Sequence, residues 1–254
     1  MPRRTTRTVT IGDLKIGSQH PIIVQSMTCT DTDDAAATIL QIKELVAAGC
    51  EMVRVTVDTD KAADALPEII AASSVPIVAD IHFTHRLAIR AIEAGVDKVR
   101  INPGNIGSDE RVREVVEAAK KANIAMRIGV NSGSVEKDLL EKYGYPSPQA
   151  LVDSAVRHCE NITALGFTNF VVSLKSTDTK TVVEANRLFA AQNDIPLHIG
   201  VTEAGRPGYG TIKSAAGLGP LLLDGIGDTI RVSLTGDPVP EIAVAFDILK
   251  ATGA

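Results

Sequence analysis

Apolar residues along this chain come in short runs, separated by longer stretches of helical period. The runs are PIIVQSM, EMVRVTV, VPIVADIHF, DKVRINPG, IAMRIGVN, TNFVVSLKS, PLHIGVTEAG and DTIRVSLTGD, recurring about every 25 to 45 residues. Each is brief, rich in Val and Ile, and bounded by turn formers, which is the signature of a buried strand. Between them lie amphipathic stretches such as DDAAATILQIKELVAAG and DERVREVVEAAKKAN. These open on acidic or hydroxyl residues and close on Gly or Asn, as helices prefer. Junctions at Ala48-Gly49 and Ala94-Gly95 mark helices running into strands. Strands alternating with helices imply a parallel sheet. Eight such units in 254 residues favour an α/β fold of the closed (β/α)8 type, a TIM barrel, over an open sheet.

Three irregularities refine that expectation. Arg7 to Gln19 reads as a short hairpin around IGDL, expected against the barrel end opposite the active site. Ser132 to Gly166 holds two helical patterns joined by YGYPSPQ, so one unit carries an insertion. The last pattern, PVPEIAVAFDILKATGA, closes the eighth unit. No linker interrupts the rhythm, and residues 1–254 read as one barrel domain.

Composition narrows the class. Hydrophobic residues make up 44% of the chain but aromatics only 3%, so the core is expected to be aliphatic. A net charge of -5 argues against general nucleic-acid binding. Cys29, Cys50 and Cys159 are far apart and form no CxxC pair, which reads as reduced thiols, not a disulfide framework or a metal site. The start, MPRRTTRTVTIG, lacks the apolar core of a secretory signal, and no run is long enough to span a membrane. The expectation is a soluble, cytoplasmic protein.

The charges are less evenly spread than the total suggests. VRINPGNIG, Val99 to Gly107, places an arginine inside a strand pattern, where an unpaired guanidinium is prohibitively costly. Either a carboxylate pairs with it or it faces a pocket for an anion. In a barrel the strand ends form the active-site mouth. Those ends carry Arg54, Asp80, His82, Arg100, Asn102, Arg127, Asn131, Lys175, His198, Glu203, Arg231 and Ser233. Five of the eight strands thus bring a cation, against Asp80 and Glu203 as the obvious counter-charges. That excess predicts an anionic ligand with two or more phosphate groups. Asp80 suits substrate positioning and Glu203 suits proton handling, although either could simply hold the arginines. His82 and His198 are candidates to bond a substrate hydroxyl or phosphate, or satisfied core histidines; His20, His85 and His158 read as surface or packing residues. NPGNIG is expected to form a tight turn over the mouth, carrying Asn102 and Asn105. EAGRPGYGTIKSA could be a phosphate loop at a helix start or a plain flexible turn.

Together VQSMTCTDT, VADIHF, VRINPGNIG, RIGVNSGSVEKDLLEKYG, HIGVTEAG, KSAAGLGPLLLDGIGDTIRVSLTGDPVPEI and FDILK closely resemble the barrel of the 4-hydroxy-3-methylbut-2-enyl diphosphate synthase family. The match runs from about Thr6 to Lys250. The resemblance implies an oxidoreductase of the methylerythritol phosphate route to isoprenoids. Its reaction is reductive ring opening of 2-C-methyl-D-erythritol 2,4-cyclodiphosphate with loss of water. By motif match, Arg54, Arg100, Arg127, Lys175, Arg231 and Ser233 would hold the diphosphate. Asp80, Asn102, Asn131, His198 and Glu203 would contact the remaining polar groups or neighbouring side chains.

The resemblance also implies a [4Fe-4S] cluster, carried in the family by a second domain with three cysteines and a glutamate from an NGPGE motif. None of those ligands is in this sequence. The expectation is therefore a substrate-binding barrel that does not perform the reduction alone. Its partners would be a separate cluster-bearing chain, an electron donor such as ferredoxin or flavodoxin, and a second copy in a homodimer. A non-catalytic scaffold that keeps a phosphate site is the alternative, and an enzyme similar to dihydropteroate synthase is a third reading.

Overall fold

The computed structural model describes residues 2–254. The chain opens on an antiparallel hairpin, β1 (Val9–Ile11) and β2 (Leu14–Ile16). Eight parallel strands follow: β3 (Ile23–Met27), β4 (Met52–Thr56), β5 (Ile77–Asp80), β6 (Lys98–Ile101), β7 (Ala125–Asn131), β8 (Phe170–Lys175), β9 (His198–Ile199) and β10 (Thr229–Ile230). Neighbours in sequence are neighbours in the sheet from β3 to β8, and β10 bonds both β3 and β9. A bridge between Val172 and Leu197 joins β8 to β9 and closes the ring. This is the expected (β/α)8 barrel.

The helices are α1 (Ala35–Ala47), α2 (Asp60–Ala72), α3 (His85–Glu93), α4 (Pro103–Ile106), α5 (Asp109–Ala122), α6 (Lys137–Tyr143), α7 (Pro148–Ala164), α8 (Thr179–Ala190), α9 (Tyr209–Leu223) and α10 (Val239–Thr252). Five start on a side-chain cap, from Asp34, Thr59, Asn102, Ser147 and Asp178, whose oxygens each accept an otherwise unpaired backbone N–H. Gly49 and Gly95, after α1 and α3, take φ of 101° and 95°, conformations a side chain resists. That explains the repeated Ala-Gly junctions. The insertion is α6, held beside α7.

Alternate residues of each strand face the barrel axis. At the N-terminal end these are apolar: Ile23, Met52, Val78, Ala125 and Val171. The hairpin places Val9, Ile11 and Ile16 on this layer, all fully buried. It therefore stops the end of the barrel opposite the mouth, as expected. Burial of each such side chain contributes roughly 1.5–3 kcal/mol. Arg3 pairs with Asp228 at 2.8 Å, and the other oxygen of Asp228 accepts the Leu197 N–H at 2.8 Å. The N-terminal arm is thus tied to the starts of β9 and β10. A second, larger apolar core lies between barrel and helices and is mostly Val, Ile, Leu and Ala.

The tight turn expected of NPGNIG is helical: Pro103–Ile106 forms a single turn capped by Asn102. One feature differs from expectation. The last two strands are only two residues each, shorter than their apolar runs. Beyond Ile199 and Ile230 the chains continue to the rim and meet again at a Gly205–Leu234 bridge.

Candidate active site

Above the apolar layer the barrel interior becomes polar and then charged. A cavity of about 260 Å³ opens at the C-terminal ends of the strands. Arg54, Asp80, Arg100, Arg127, Asn131, Lys175, Glu203, Arg231 and Ser233 all line it. With His82, ten of the twelve strand-end residues expected at the mouth are thus brought together. Period 2 along each strand accounts for this, because it turns successive polar positions inward at the rim.

Asp80 organises the cations. Its Oδ1 accepts from Arg100 Nη1 at 2.9 Å, and Arg54 Nε stands 3.3 Å from Oδ2. Burial disfavours its charge, but Arg54, Arg100 and Arg127 more than offset this and hold the carboxyl well below the usual range. Asn131, in the amide orientation its neighbours require, accepts from Arg100 Nη2 at 3.1 Å. Arg100 lies across Gly129, where a Cβ would fall 2.5 Å from its Nε. Only glycine leaves room for the guanidinium there.

The other cations are less well matched. Arg127 is 1% exposed and donates through Nη1 to Ser173 Oγ at 3.2 Å, while its Nε and Nη2 find no partner. Arg54 directs Nε and Nη2 at the Met27 sulfur, at 3.2 and 2.8 Å, and Arg231 Nη1 reaches the same atom at 3.5 Å. A thioether is a weak acceptor for two guanidinium groups. Lys175 meets His198 Nε2 at 3.1 Å and makes no ion pair among the described residues. Burial comes first in pushing Arg127 and Lys175 well below their ordinary values, with the neighbouring arginines adding to it.

Two expected residues lie off the cavity wall. Asn102 accepts the Gly104 N–H and donates to Ser134 Oγ, so it clamps two rim loops together. His198 is fully buried beneath the cavity, between Lys175 and Thr229. Glu203 does reach the wall, but it pairs with no cation among the described residues. Its φ of 48° is rare for a side-chain-bearing residue and is the kind of backbone cost that clusters at functional sites. The EAGRPGYG loop contributes Glu203 alone to the wall.

Sequence reading missed the second buried counter-charge. Glu241, on α10, stands 3.5 Å from Arg231 Nε and accepts from Ser26 Oγ and the Leu234 N–H. It lies outside every strand run, so a search of strand ends passes over it. Met27, Ser173 and Thr202 also line the cavity. Lys98, fully buried below the mouth, was missed as well. Ser173 and Lys98 sit two residues before Lys175 and Arg100, and that spacing is a signal for them.

A larger groove, about 480 Å³, lies outside the barrel beside α5 and α7. Its lining mixes Arg113 and Arg157 with Asp109 and Glu136, and His158 Nε2 lies 2.6 Å from Glu136. It lacks the surplus of donors found at the mouth.

Fold and site define a (β/α)8 barrel with a cationic cavity suited to a polyanionic small molecule. Residues 6–246 match the GcpE TIM-barrel domain, and the chain belongs to that family. A relative from Fusobacterium nucleatum is 57% identical over 247 residues, covering 97% of this chain and 70% of its own length. One from Aquifex aeolicus is 55% identical over 251 residues, covering 99% of this chain and 70% of its own length. Both are named 4-hydroxy-3-methylbut-2-en-1-yl diphosphate synthase (flavodoxin). Among solved structures, dihydropteroate synthase of Yersinia pestis superposes with a TM-score of 0.67 at 12% identity, covering 97% of this chain and 99% of that one. A truncated 3-deoxy-D-arabino-heptulosonate 7-phosphate synthase from Thermotoga maritima gives 0.64 at 12%, covering 98% and 94%. At such identity these two likenesses establish the barrel fold alone.

The iron–sulfur cluster associated with the family does not fit the donors of this chain. Among the described residues no three His, Cys, Asp or Glu side chains converge to hold a metal. Burial pushes the Cys50 thiol up to about 11 and the Cys159 thiol up to about 12, the opposite of what a thiolate ligand needs. Cys29 is exposed, whereas the other two are buried. Among the described residues no helix is long and apolar enough to cross a membrane.

Proposed function

We propose that the chain binds 2-C-methyl-D-erythritol 2,4-cyclodiphosphate in the mouth of its barrel. It would thereby supply the substrate-holding part of a 4-hydroxy-3-methylbut-2-enyl diphosphate synthase. The observation that carries this reading is the donor surplus: Arg54, Arg100, Arg127, Lys175 and Arg231 line one cavity, and among the described residues their buried carboxylate partners are Asp80 and Glu241. A ligand with two phosphate groups supplies the acceptors that Met27 and Ser173 supply poorly. The shared name of the relatives points to the same ligand.

In this reading Arg54, Arg100, Arg127, Lys175, Arg231 and Ser233 bind the phosphate oxygens. Asp80 and Asn131 keep Arg100 in line, Asn102 fixes the rim loops, and His198 sets the position of Lys175. Glu203, exposed at the cavity wall, is the group placed to handle the proton when water leaves. The cluster would supply electrons from outside this chain, on a cluster-bearing partner, with a flavodoxin-type donor as in the names of the relatives. The chain spans about 70% of those relatives' length, and the cluster would belong to what it does not cover. A homodimer would bring such a part of one copy over the mouth of the other.

Calorimetric titration with the cyclodiphosphate tests the binding. Saturable binding that competes with inorganic pyrophosphate is the expected result; no binding overturns the reading. After iron–sulfur reconstitution the chain alone is expected to carry no cluster and to release no product under anaerobic reduction. Turnover by this chain as the only protein besides the donor would place a redox centre on the chain's own residues. Binding without turnover when a cluster-bearing partner is added would favour the non-catalytic barrel instead.

A further inference from the structure

The nitrogen of Lys175 occupies an unusual position among the cations of the mouth. It lies over Gly200, where a Cβ would come within 2.9 Å of it, and its hydrogen-bond partner is a histidine, His198 Nε2, at 3.1 Å. His198 is itself fully buried, and its Nδ1 is 2.7 Å from Thr229 Oγ1. Cations face the pair from several elements: Arg54 on β4, Lys98 and Arg100 on β6, Arg127 on β7 and Arg231 just past β10. The carboxylates nearby are committed elsewhere, Asp80 to Arg54 and Arg100, and Glu241 to Arg231. Glu203 and His82 stand at the cavity wall, without an ion pair to Lys175.

We propose that binding of an anion in the mouth is coupled to uptake of one proton by Lys175, with His198 as the positioning residue that holds its nitrogen. This rests on the site reading above. Burial, then the charges of Arg127, Arg54, Arg231 and Arg100, drive Lys175 well below its ordinary value, and the same kinds of force keep His198 neutral. Neutral His198 donating from Nδ1 to Thr229 leaves Nε2 as an acceptor for Lys175. In the empty site the amine keeps its lone pair. When a dianion enters, a buffer acid gives its proton to that lone pair, and the ammonium donates to His198 and to a phosphate oxygen.

The sign follows from linkage. The ligand raises a depressed value, so between the empty-site and bound values each ligand brings in one proton. Across that window the apparent affinity falls tenfold for each unit rise in pH. The cyclodiphosphate is a suitable probe because each phosphorus carries a single, strongly acidic oxygen. The ligand therefore exchanges no proton of its own near neutrality.

The experiment is titration calorimetry of the whole chain with cyclodiphosphate over a series of pH values, at each in buffers of low and high ionisation enthalpy. Within the window the expected binding heat varies linearly with buffer ionisation enthalpy, with a slope approaching one proton taken up. In Lys175→Arg, which keeps the charge, and Lys175→Met, which removes it, the slope vanishes. Saturable binding with the same heat in every buffer across the series overturns the coupling while leaving the site reading intact. A slope retained in both variants overturns it as well, since the proton would then sit on His198 or Lys98. Absence of saturable binding in any buffer overturns the site reading itself, and the coupling with it.

Discussion

Asp80 and Arg100 are direct partners across the ladder between β5 and β6, and their side chains meet again at 2.9 Å inside the barrel. Backbone register therefore builds the ion pair. Arg54 closes on the other oxygen from β4, and both arginines are 8% exposed. Removing the carboxylate leaves two buried guanidinium groups uncompensated. Asp80→Asn is expected to cost roughly 3–5 kcal/mol, the scale for breaking a buried pair. Denaturant midpoints will measure it, and added pyrophosphate should recover part of the loss by replacing the missing charge.

The same pair sets an acid limit. Asp80 is held well below its ordinary value in the folded chain. A depressed carboxylate stabilises the fold above its unfolded value, about 3.9, and that contribution disappears as pH falls through the folded value. Stability profiles of wild type and Asp80→Asn should therefore lie apart at neutral pH and converge in strong acid. Parallel profiles down to the acid transition would contradict the assignment.

Arg100→Ala and Arg231→Ala should each weaken cyclodiphosphate binding by roughly 1.5–3 kcal/mol, the scale of a hydrogen bond to a charged group. Titration of both variants, with circular dichroism to confirm the fold, checks this. Unchanged affinity in both would make the arginines structural.

Gly129→Ala tests whether Arg100 is held where binding needs it. The new methyl would stand 2.5 Å from Arg100 Nε, so the guanidinium has to move away from Asp80 or Asn131. Affinity is expected to fall about tenfold, or about 1.4 kcal/mol. A binding curve identical to wild type would mean that the arginine finds an equally good place.

Ile11→Ala separates the two ends of the barrel. Ile11 is fully buried in the apolar layer beneath the hairpin. Its truncation should cost about 2–5 kcal/mol of stability through transfer and cavity terms. Affinity measured well below the unfolding transition should stay unchanged, because the layer does not reach the mouth.

The barrel and the cation ring were legible because both rest on periodicity. Arg54, Arg100, Arg127 and Lys175 face inward for the same reason that Ile23 and Val78 do. What escaped depends on contacts distant in sequence. Glu241 reaches the interior from a helix, and no strand pattern points to it. Asn102 occupies a strand end, yet a helical cap and Ser134 claim its side chain. His198 is inward but too deep to line the cavity, since depth along the axis follows from the stagger between strands and not from alternation.

The hairpin that stops the lower end also leaves the cavity with one doorway. Water displaced by an arriving ligand cannot drain through the bottom of the barrel and has to pass the ligand on its way out. Filling and emptying are then counterflow, an exchange of places at a single threshold. Narrowing that threshold would slow arrival and departure together, lengthening residence without adding a single contact to the bound molecule.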